Sequence, residues 1–315
     1  RGCAVNALGA AGGVVLDAVA GEPPRRCHPV AAYGSMMTAL ERRSYRDGRR
    51  AGVVHLAIGV GSAVVTGWCC RRVLGPLWST VVATGVASAG RMLDGEALAV
   101  GDHLVARDLG AARSALSALA GRRADDLDES EVARAVVESV AENSVDAVVS
   151  SIFWAAIGGA PAVLAHRAVN TLDAMVGHRT DRYERFGRAS ARLDDLANFV
   201  PARLAALSVA MCRPRSAGLI MRTVRRDAGR HPSPNGGVIE AAYAAALGLR
   251  LGGVNRYGDE IEDRGTLGDG RSPVAADITA AVRLRRHTTA LIAASVALLG
   301  LAAPGGRVRW QRVRF

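Results

Sequence analysis

Five long segments with almost no charged residues constrain this chain more than any other feature of its sequence. The segments span residues 3–20, 52–70, 74–90, 147–165 and 287–303. A bilayer core of about 30 Å needs about 20 apolar residues in a helix, and the segments approach this length. They are rich in Gly, Ala, Ser and Val, which suits close helix packing in lipid. The sequence therefore predicts an all-α, polytopic integral membrane protein with helical cytoplasmic segments, forming a single membrane-embedded domain over residues 1–315.

The alternative is a soluble helical bundle with Ala-rich buried helices, because the segments lie at the lower limit of spanning length. Residues 199–212 are shorter and contain Arg203, so we interpret them as a core or interfacial helix. The first segment has the length of a signal peptide. We expect a membrane helix there instead, because Arg1 is not part of a charged leader and no polar mature domain follows directly.

The basic residues exclude several kinds of chemistry. All 40 are arginine, since the sequence contains no lysine. This excludes a GxxxxGK[ST] phosphate loop, Schiff-base chemistry and a kinase-type catalytic lysine. The net charge of +11 suits an anionic lipid surface or a phosphorylated substrate. We expect no nucleic-acid partner, because only 4% of residues are aromatic. The five cysteines show no CxxC spacing, which indicates neither a disulfide framework nor a zinc site.

Charge bias predicts the topology. The arginine-rich loop at 21–50 is expected in the cytoplasm, and the next two apolar segments form a hairpin around Arg71 and Arg72 that returns the chain to it. A full span at 147–165 would place the following arginines outside. Gly158, Gly159 and Pro161 permit a break, so we expect this segment to re-enter, with the active site facing the cytoplasm.

The first polar constellation is acidic. Residues 130–146 have a helical pattern with Ser130 as N-cap, and Glu138, Glu142 and Asp146 repeat at intervals of four. Like charges at this spacing repel, so a cation is expected, and oxygen ligands favour Mg²⁺. Asn143 belongs to the same candidate site. The alternative is a solvated acidic face partly balanced by Arg134.

The second constellation follows the re-entrant segment. Asn170 and Asp173 share a helix face, and Asp194 and Asp195 precede Asn198 by four and three residues. Carboxylates paired with carboxamides are typical of a metal–phosphate site. A basic stripe repeats every three to four residues and consists of Arg179, Arg182, Arg185, Arg188 and Arg192. It suits a polyphosphate or an acidic substrate, or alternatively anionic lipid.

Two further segments complete the candidate site. HPSPNGG at 231–237 predicts an irregular loop, followed by a helix from near Val238 with Glu240 in its first turn. The N–H groups at that helix start are a candidate anion site, although a bare tight turn is the alternative. Gly252 and Gly253 are expected to end the helix. Near the N-terminus, Asp17 ends an apolar helix, where an ionisable residue is functional by default, and His28 sits in a turn.

These segments resemble the cobinamide-phosphate synthase family, the integral membrane proteins of cobalamin biosynthesis. The patterns that carry the resemblance occur in family order over residues 8–259. They are LDxxxGEPxxxxHPV, VESVAENSVDAVVSSIFWAAIGGAP, VNTLDAMVGHR with RFGRASARLDDLANFVPARL, and HPSPNGGxxEAAxAAALGLRLGG.

The resemblance implies ATP-dependent amide formation between a carboxylate of adenosylcobyric acid and 1-amino-2-propanol or its O-phosphate, with Mg²⁺. The carboxylate must be activated, most simply as an acyl phosphate, and the amine must lose a proton. The candidate metal ligands are Glu142, Asp146, Asp173, Asp194 and Asp195. The candidate catalytic residues are Glu138, Glu142, Asn143 and His231. The candidate substrate-binding residues are Asp17, His28, Asn170, Arg179, Arg192, Asn198, Ser233, Asn235, Glu240 and Asn255.

Two other functions remain open. The first alternative is a non-catalytic membrane scaffold for other corrinoid-pathway membrane enzymes, and the second is a transporter. A transporter is expected to place its ionisable residues inside membrane helices. In the sequence these residues lie in polar segments, apart from Asp17. This placement favours an enzyme, which we expect in the cytoplasmic membrane. Membrane lipid and both substrates are the expected partners.

Overall fold

The computed structural model describes residues 2–23, 28–117, 119, 125–178, 180–257 and 260–303. The chain is an all-α membrane protein, and its described residues include a small β-hairpin. Its helices are α1 Gly2–Ala20, α2 Pro29–Ser44, α3 Arg49–Ala87, α4 Gly90–Val105, α5 Leu109–Leu116, α6 Glu129–Asn143, α7 Ser150–Val176, α8 Arg188–Cys212, α9 Ala217–Asp227, α10 Gly236–Leu247 and α11 Ala275–Ala302. A π-helical turn, Ser144–Val149, joins α6 to α7, and short 3₁₀ turns occur at Pro214–Ser216 and Ala228–Arg230. Strands β1 Leu251–Tyr257 and β2 Glu260–Leu267 pair antiparallel.

Four helical stretches of the described chain are long and apolar enough to cross a membrane. They are Gly2–Ala20, Arg49–Val105, Glu129–Val176 and Arg188–Cys212. Their outer faces expose large apolar side chains, such as Val65 and Val73 on α3 and Leu196 and Met211 on α8. A lipid environment explains these exposed faces, which water would disfavour.

Two segments differ from the sequence prediction. Residues 199–212 belong to the 25-residue helix α8, which is itself a candidate span, because the helix already begins at Arg188. The apolar segment at 287–303 forms the second half of α11, whose first half carries Arg283, Arg285 and Arg286. α11 is not among the four candidate spans found in the described chain.

Helix α3 reverses direction at a glycine. Gly75 has a positive φ of 75°, which only glycine adopts readily, and Pro76 starts the second half. Gly67 in the first half lies against the backbone of Pro161, and Thr80 in the second half lies beside Gly159. The predicted hairpin is therefore present, with its turn three residues beyond Arg72. Near this turn the Arg72 guanidinium stacks 3.9 Å from the centre of the Trp68 ring.

Helix α7 is also folded back on itself. Its break is at Gly159, which has a φ of 66°, and Pro161 follows inside the helix. Ser150 and His166 both contact the same atom, Asn198 Oδ1, at 2.6 and 2.9 Å. A straight helix would separate residues 150 and 166 by about 24 Å. The predicted break near Gly158–Pro161 is thus confirmed.

The α7 turn stops short of the α3 turn. Pro161 packs against Gly67, eight positions before Gly75, and Gly159 lies beside Thr80, five positions after it. These spacings correspond to about 8–12 Å along the helix. The two halves of α7 therefore enter and leave at the same end of the bundle, as a re-entrant segment does.

Helix α6 lies at the centre of the largest apolar cluster. Its valines and alanines between Val132 and Ala141 are fully buried against residues of α4, α8, α10 and α11. The helix begins one residue before Ser130, with a capping box formed by Asp128 and Glu131, so the expected Ser130 cap is wrong. Ser130 instead donates to the carbonyl of Pro273.

The glycine pair expected to end α10 lies in β1. Gly248, in the left-handed conformation, ends α10. Gly252 and Gly253 both have positive φ and produce a bulge in the pairing of β1 with β2. The short hairpin places β2 beside the acidic end of α6, where Arg264 contacts Glu142.

Candidate functional site

The polar side chains of the motifs meet at one end of the bundle, where α6, α7, α8 and the loop before α10 converge. They form two groups. The triad consists of Glu142, His231 and Glu240. The aspartate cluster consists of Asp146, Asp173, Asp194 and Asp195. Glu142 and Asp146 interact electrostatically and link the two groups.

The triad brings together three elements that are distant in sequence. His231 Nε2 lies 3.4 Å from Glu240 Oε1 and 4.0 Å from Glu142 Oε1. Arg264 from β2 approaches both carboxylates, at 3.2 Å from Glu142 Oε1 and 3.7 Å from Glu240 Oε1. Glu240 is fully buried. Burial raises the pKa of its carboxyl well above the usual range, and the charges of Glu142 and Glu138 raise it further.

Glycine makes this convergence possible. A Cβ at position 236 would lie 2.9 Å from His231 Cε1 and 3.0 Å from Glu142 Oε1. A Cβ at Gly237 would clash with the carbonyl oxygen of Ala228. The two glycines of HPSPNGG therefore allow the loop to approach α6 closely, a reason that the sequence alone did not reveal.

The HPSPNGG loop is fixed to α8 by hydrogen bonds. Asn235 Nδ2 donates to the carbonyl of Asp195 at 2.8 Å, and Arg203 Nη1 donates to Asn235 Oδ1 at 2.9 Å. Ser233 Oγ accepts the backbone N–H groups of Asn235 and Gly236, at 3.3 and 3.0 Å. The predicted residues Ser233 and Asn235 thus shape the loop.

The predicted anion site at the start of α10 is wrong. The N–H of Gly236 donates to Ser233 Oγ, that of Gly237 to the Ser233 carbonyl at 3.3 Å, and that of Val238 to the Asn235 carbonyl at 3.1 Å. Helix α10 starts at Gly236, two residues before the expected position. All three N–H groups are occupied within the loop, which leaves none to bind an anion.

The aspartate cluster is organised by two carboxamides. Asn198 Nδ2 donates to Asp194 Oδ2 at 2.9 Å, and Asn170 Nδ2 lies 3.4 Å from Asp194 Oδ1. Asp146 belongs to the π-helical turn, a feature that often marks functional sites. Its charge interacts with those of Asp194 and Asp173.

The predicted metal ligands do not converge as one cage. We looked for three or more His, Cys, Asp or Glu side chains whose ligand atoms all lie within 4.8 Å of one another. Among the residues that the structure describes, only the triad meets this condition. Of the five predicted ligands, only Glu142 belongs to it. His231 and Glu240, predicted as catalytic and substrate-binding residues, supply the other two atoms.

Two predicted catalytic residues have structural contacts. Glu138 is buried and accepts the N–H of Gly252 at 2.8 Å, which ties β1 to α6. Arg134 donates to the carbonyl of the same glycine. The amide nitrogen of Asn143 donates to the carbonyl and the hydroxyl of Ser139, at 2.9 and 3.1 Å.

The predicted arginine stripe does not lie on one helix. The described residues between Gly177 and α8 form turns, which destroys the helical spacing. Arg182 pairs with Glu41 at 3.0 Å, and Arg185 lies 3.5 Å from Asp47. Arg188 and Arg192 are exposed at the start of α8. Arg179 lies outside the described residues.

Arg167 is a site residue that the sequence analysis missed. Its Nη1 lies 3.3 Å from Asn170 Oδ1, and its charge interacts with those of Glu22 and Asp146. It therefore connects the N-terminal motif to the aspartate cluster. The sequence could have identified Arg167, because it is a single arginine in an apolar segment, where a charged residue is costly and is usually functional.

The remaining predicted residues lie at different distances from the site. His28 Nδ1 accepts the N–H of Val30 and caps α2, while its Nε2 lies 3.1 Å from Glu22 Oε2. Asp17 accepts the N–H of Gly90 at 3.1 Å and interacts with Arg285, so it belongs to a separate buried network. Asn255 lies in β1, and its side chain is outside the described part of the structure.

Comparisons with known proteins agree on one family. The family model described as "CobD/Cbib protein" matches residues 10–285. The "Cobalamin biosynthesis protein CobD" of Mycobacterium tuberculosis (strain CDC 1551 / Oshkosh) is 48% identical over 89% of this chain and 91% of its own length. The proteins of the same name from Geobacter metallireducens and Rhodobacter capsulatus are 44% and 40% identical, over 84% and 88% of this chain and 86% and 89% of their own lengths. No solved structure matches. The chain belongs to the CobD/CbiB family.

Proposed function

We propose that this protein is an ATP-dependent amide ligase of cobalamin biosynthesis that joins adenosylcobyric acid to 1-amino-2-propanol or its O-phosphate. The family and the names of its relatives support the part in cobalamin biosynthesis. The observation that supports ligase chemistry is the convergence of acidic, amide and arginine side chains from distant motifs at one end of the bundle. A phosphate-activated carboxylate and an amine need such a mixed polar site.

The aspartate cluster fits Mg²⁺ with ATP. Its donor atoms are all oxygens, and we assign Asp146 and Asp194 to the metal, which leaves Asp173 free for another role. Mg²⁺ usually keeps several waters and binds one or two carboxylates together with substrate phosphates, so it does not require a closed protein cage. When bound, it would neutralise phosphate charge during carboxylate activation. In a chain without lysine, arginines must bind the phosphates, and Arg167 already lies beside the cluster.

The incoming ammonium must lose a proton to the chain. We place this proton on Asp173, whose side chain is partly exposed. His231 and Glu138 suit the role less well, because His231 Nε2 faces Glu142 and Glu240, and Glu138 accepts the N–H of Gly252. Asn170 and Asn198 both donate to Asp194 and hold it in position. We therefore assign the contact with the substrate amine to Asp173.

The decisive assay uses the purified chain in detergent with adenosylcobyric acid, ATP and Mg²⁺, plus either aminopropanol or its phosphate. We expect an amide product of the corresponding mass. Replacing Asp194 by Asn should lower turnover by at least about 100-fold, because it removes a carboxylate that would hold Mg²⁺ against the phosphates. The control is Asp102→Asn, since Asp102 is exposed on α4 and belongs to neither the triad nor the aspartate cluster. No product with either amine would refute the proposal.

Transport is a second candidate that one structural observation favours. Asp146, Arg167, Asp173 and Asp194 lie on stretches that are candidate spans, and not in polar loops as the sequence suggested. Intramembrane ionisable residues often mark a transport path. Uptake of adenosylcobyric acid into sealed vesicles without formation of an amide would favour the transporter over the ligase.

A further inference from the structure

We infer that the triad of Glu142, His231 and Glu240 binds one divalent transition-metal ion, separate from any Mg²⁺ held by the aspartate cluster. The three residues come from α6, from the loop before α10, and from α10 itself. All three ligand atoms lie within 4.8 Å of one another. The inference does not depend on the ligase proposal.

The distances suit direct coordination. A four-coordinate ion with bonds of about 2.1 Å separates neighbouring ligand atoms by roughly 3.4 Å. His231 Nε2 lies 3.4 Å from Glu240 Oε1 and 4.0 Å from Glu142 Oε1. Small side-chain movements would therefore place all three atoms around a single ion.

Glu240 provides an independent reason for a cation. Its side chain is fully buried, and neither of its carboxylate oxygens accepts a hydrogen bond unless the Glu142 carboxyl beside it carries a proton. Arg264 Nη1, at 3.7 Å from Oε1, is too far away to donate a hydrogen bond. A buried carboxylate without a donor is costly, and the cost grows with Glu142 beside it. A metal ion between the two carboxylates would remove both penalties.

The surroundings of His231 resemble the support of a metal ligand. Its Nδ1 lies 3.2 Å from the carbonyl oxygen of Ser233, and metal-bound histidines commonly donate their other N–H to such an oxygen. With the proton on Nδ1, the lone pair of Nε2 points to the two glutamates. The N–H of Ser233, 3.0 Å from Nδ1, would favour the other tautomer, so metal binding would select between them.

The donor set indicates the class of metal. Mg²⁺ prefers oxygen ligands only, whereas an imidazole with two carboxylates suits first-row transition metals such as Mn²⁺ and Zn²⁺. An ion at this position would link the HPSPNGG loop to α6 and α10. It would thereby hold the loop closed over the end of α6, with Gly236 allowing the close approach.

The test is Mn²⁺ binding to the full-length chain in detergent, without ATP or corrinoid. Electron paramagnetic resonance of free Mn²⁺ gives the bound fraction. We expect one saturable Mn²⁺ per chain, displaced by Zn²⁺ more readily than by Mg²⁺. Glu240→Gln should weaken this binding by at least tenfold. Loss of a residue that only supports a ligand already costs about 10- to 100-fold in metal affinity, and Glu240 is itself a proposed ligand. Asp102→Asn should bind Mn²⁺ as the wild type does.

Two outcomes would overturn the inference. One is the absence of saturable Mn²⁺ or Zn²⁺ binding by the wild type, which is also the result expected if Glu142 and Glu240 share a proton. The other is unchanged binding by Glu240→Gln, which would place the ion elsewhere. If Glu240→Gln loses helical circular dichroism, Glu142→Gln takes its place, because Glu142 is partly exposed. The ligase proposal is tested separately by its amide product.

Discussion

At the scale of single residues, the sequence identifies which side chains are candidate site residues better than it identifies which of them contact one another. Glu142, His231 and Glu240 all stand out in the sequence, but not as one group. Glu142 is predicted as a metal ligand and catalytic residue, His231 as a catalytic residue and Glu240 as a substrate-binding residue. Their convergence depends on how α10 packs against α6, which the motifs do not encode locally. The same applies to Asn198, whose Oδ1 joins the two halves of α7. Its role requires the reversal at Gly159.

Gly236 allows a direct test of this packing. Gly236→Ala places a methyl group 2.9 Å from His231 Cε1 and 3.0 Å from Glu142 Oε1. We expect a loss of about 1–3 kcal/mol in unfolding free energy, typical of overpacking, and weaker Mn²⁺ binding. The control is Gly95→Ala in α4, where a Cβ meets no atom within 4 Å. It should stabilise the helix by about 0.5–1 kcal/mol. Thermal unfolding in detergent measures both, and equal effects would contradict the packing argument.

At the scale of elements, helices with apolar periodicity are predictable, and irregular segments are not. The break of α7 follows from Gly158, Gly159 and Pro161, whose backbone preferences act locally. The arginine stripe fails because a spacing of three to four residues implies one face only if the segment is helical. The residues before α8 form turns instead. The β-hairpin was missed because Gly252 and Gly253, two of its positive-φ glycines, were interpreted as a helix end.

The C-terminus of α9 is fixed by a buried carboxylate. Asp227 accepts two hydrogen bonds from Arg226, at 2.8 and 2.7 Å, and one from the N–H of Gly268 at 3.0 Å. Its side chain is fully buried. Asp227→Asn should therefore cost about 1.5–3 kcal/mol. Asp269 also pairs with Arg226 but is 74% exposed, so Asp269→Asn should cost less than about 1 kcal/mol.

The effect of Asp227 should depend on pH in a defined direction. Hydrogen bonds from Arg226 lower the pKa of Asp227 below its ordinary value of 3.8. A lowered folded-state pKa gives stability that is complete above the unfolded value and is lost as pH falls through the folded value. The difference in stability between wild type and Asp227→Asn should stay constant from pH 7 to pH 5 and shrink only below the ordinary pKa. A difference that shrinks between pH 7 and pH 5 would contradict this assignment.

At the scale of the whole molecule, two reversals place the polar groups at one end of the bundle. Helix α3 turns at Gly75, near Arg72 and Trp68, while α7 turns about 8–12 Å earlier, at Gly159. Both ends of α7 therefore lie on the side of the acidic helix α6. An arginine and an aromatic ring at the α3 turn are typical of a membrane–water interface. The sequence predicted this arrangement because a straight span at 147–165 conflicted with the charge bias.

Cysteine labelling in oriented vesicles tests the arrangement. The five native cysteines are first changed to serine. A single cysteine then replaces one exposed residue in each variant: Glu129 at the start of α6, Glu184 in the turns before α8, or Val73 at the α3 turn. Val73 is 82% exposed, so its replacement disturbs little packing. We expect a membrane-impermeant reagent to label Glu129→Cys and Glu184→Cys from the same face, and Val73→Cys from the opposite face. The charge bias of the sequence predicts that the shared face is cytoplasmic. Labelling of Glu129→Cys and Glu184→Cys from opposite faces would make α7 a full span. Asp146, which precedes α7, would then lie on the opposite side of the membrane from Asp173 and Asp194, and the aspartate cluster could not form.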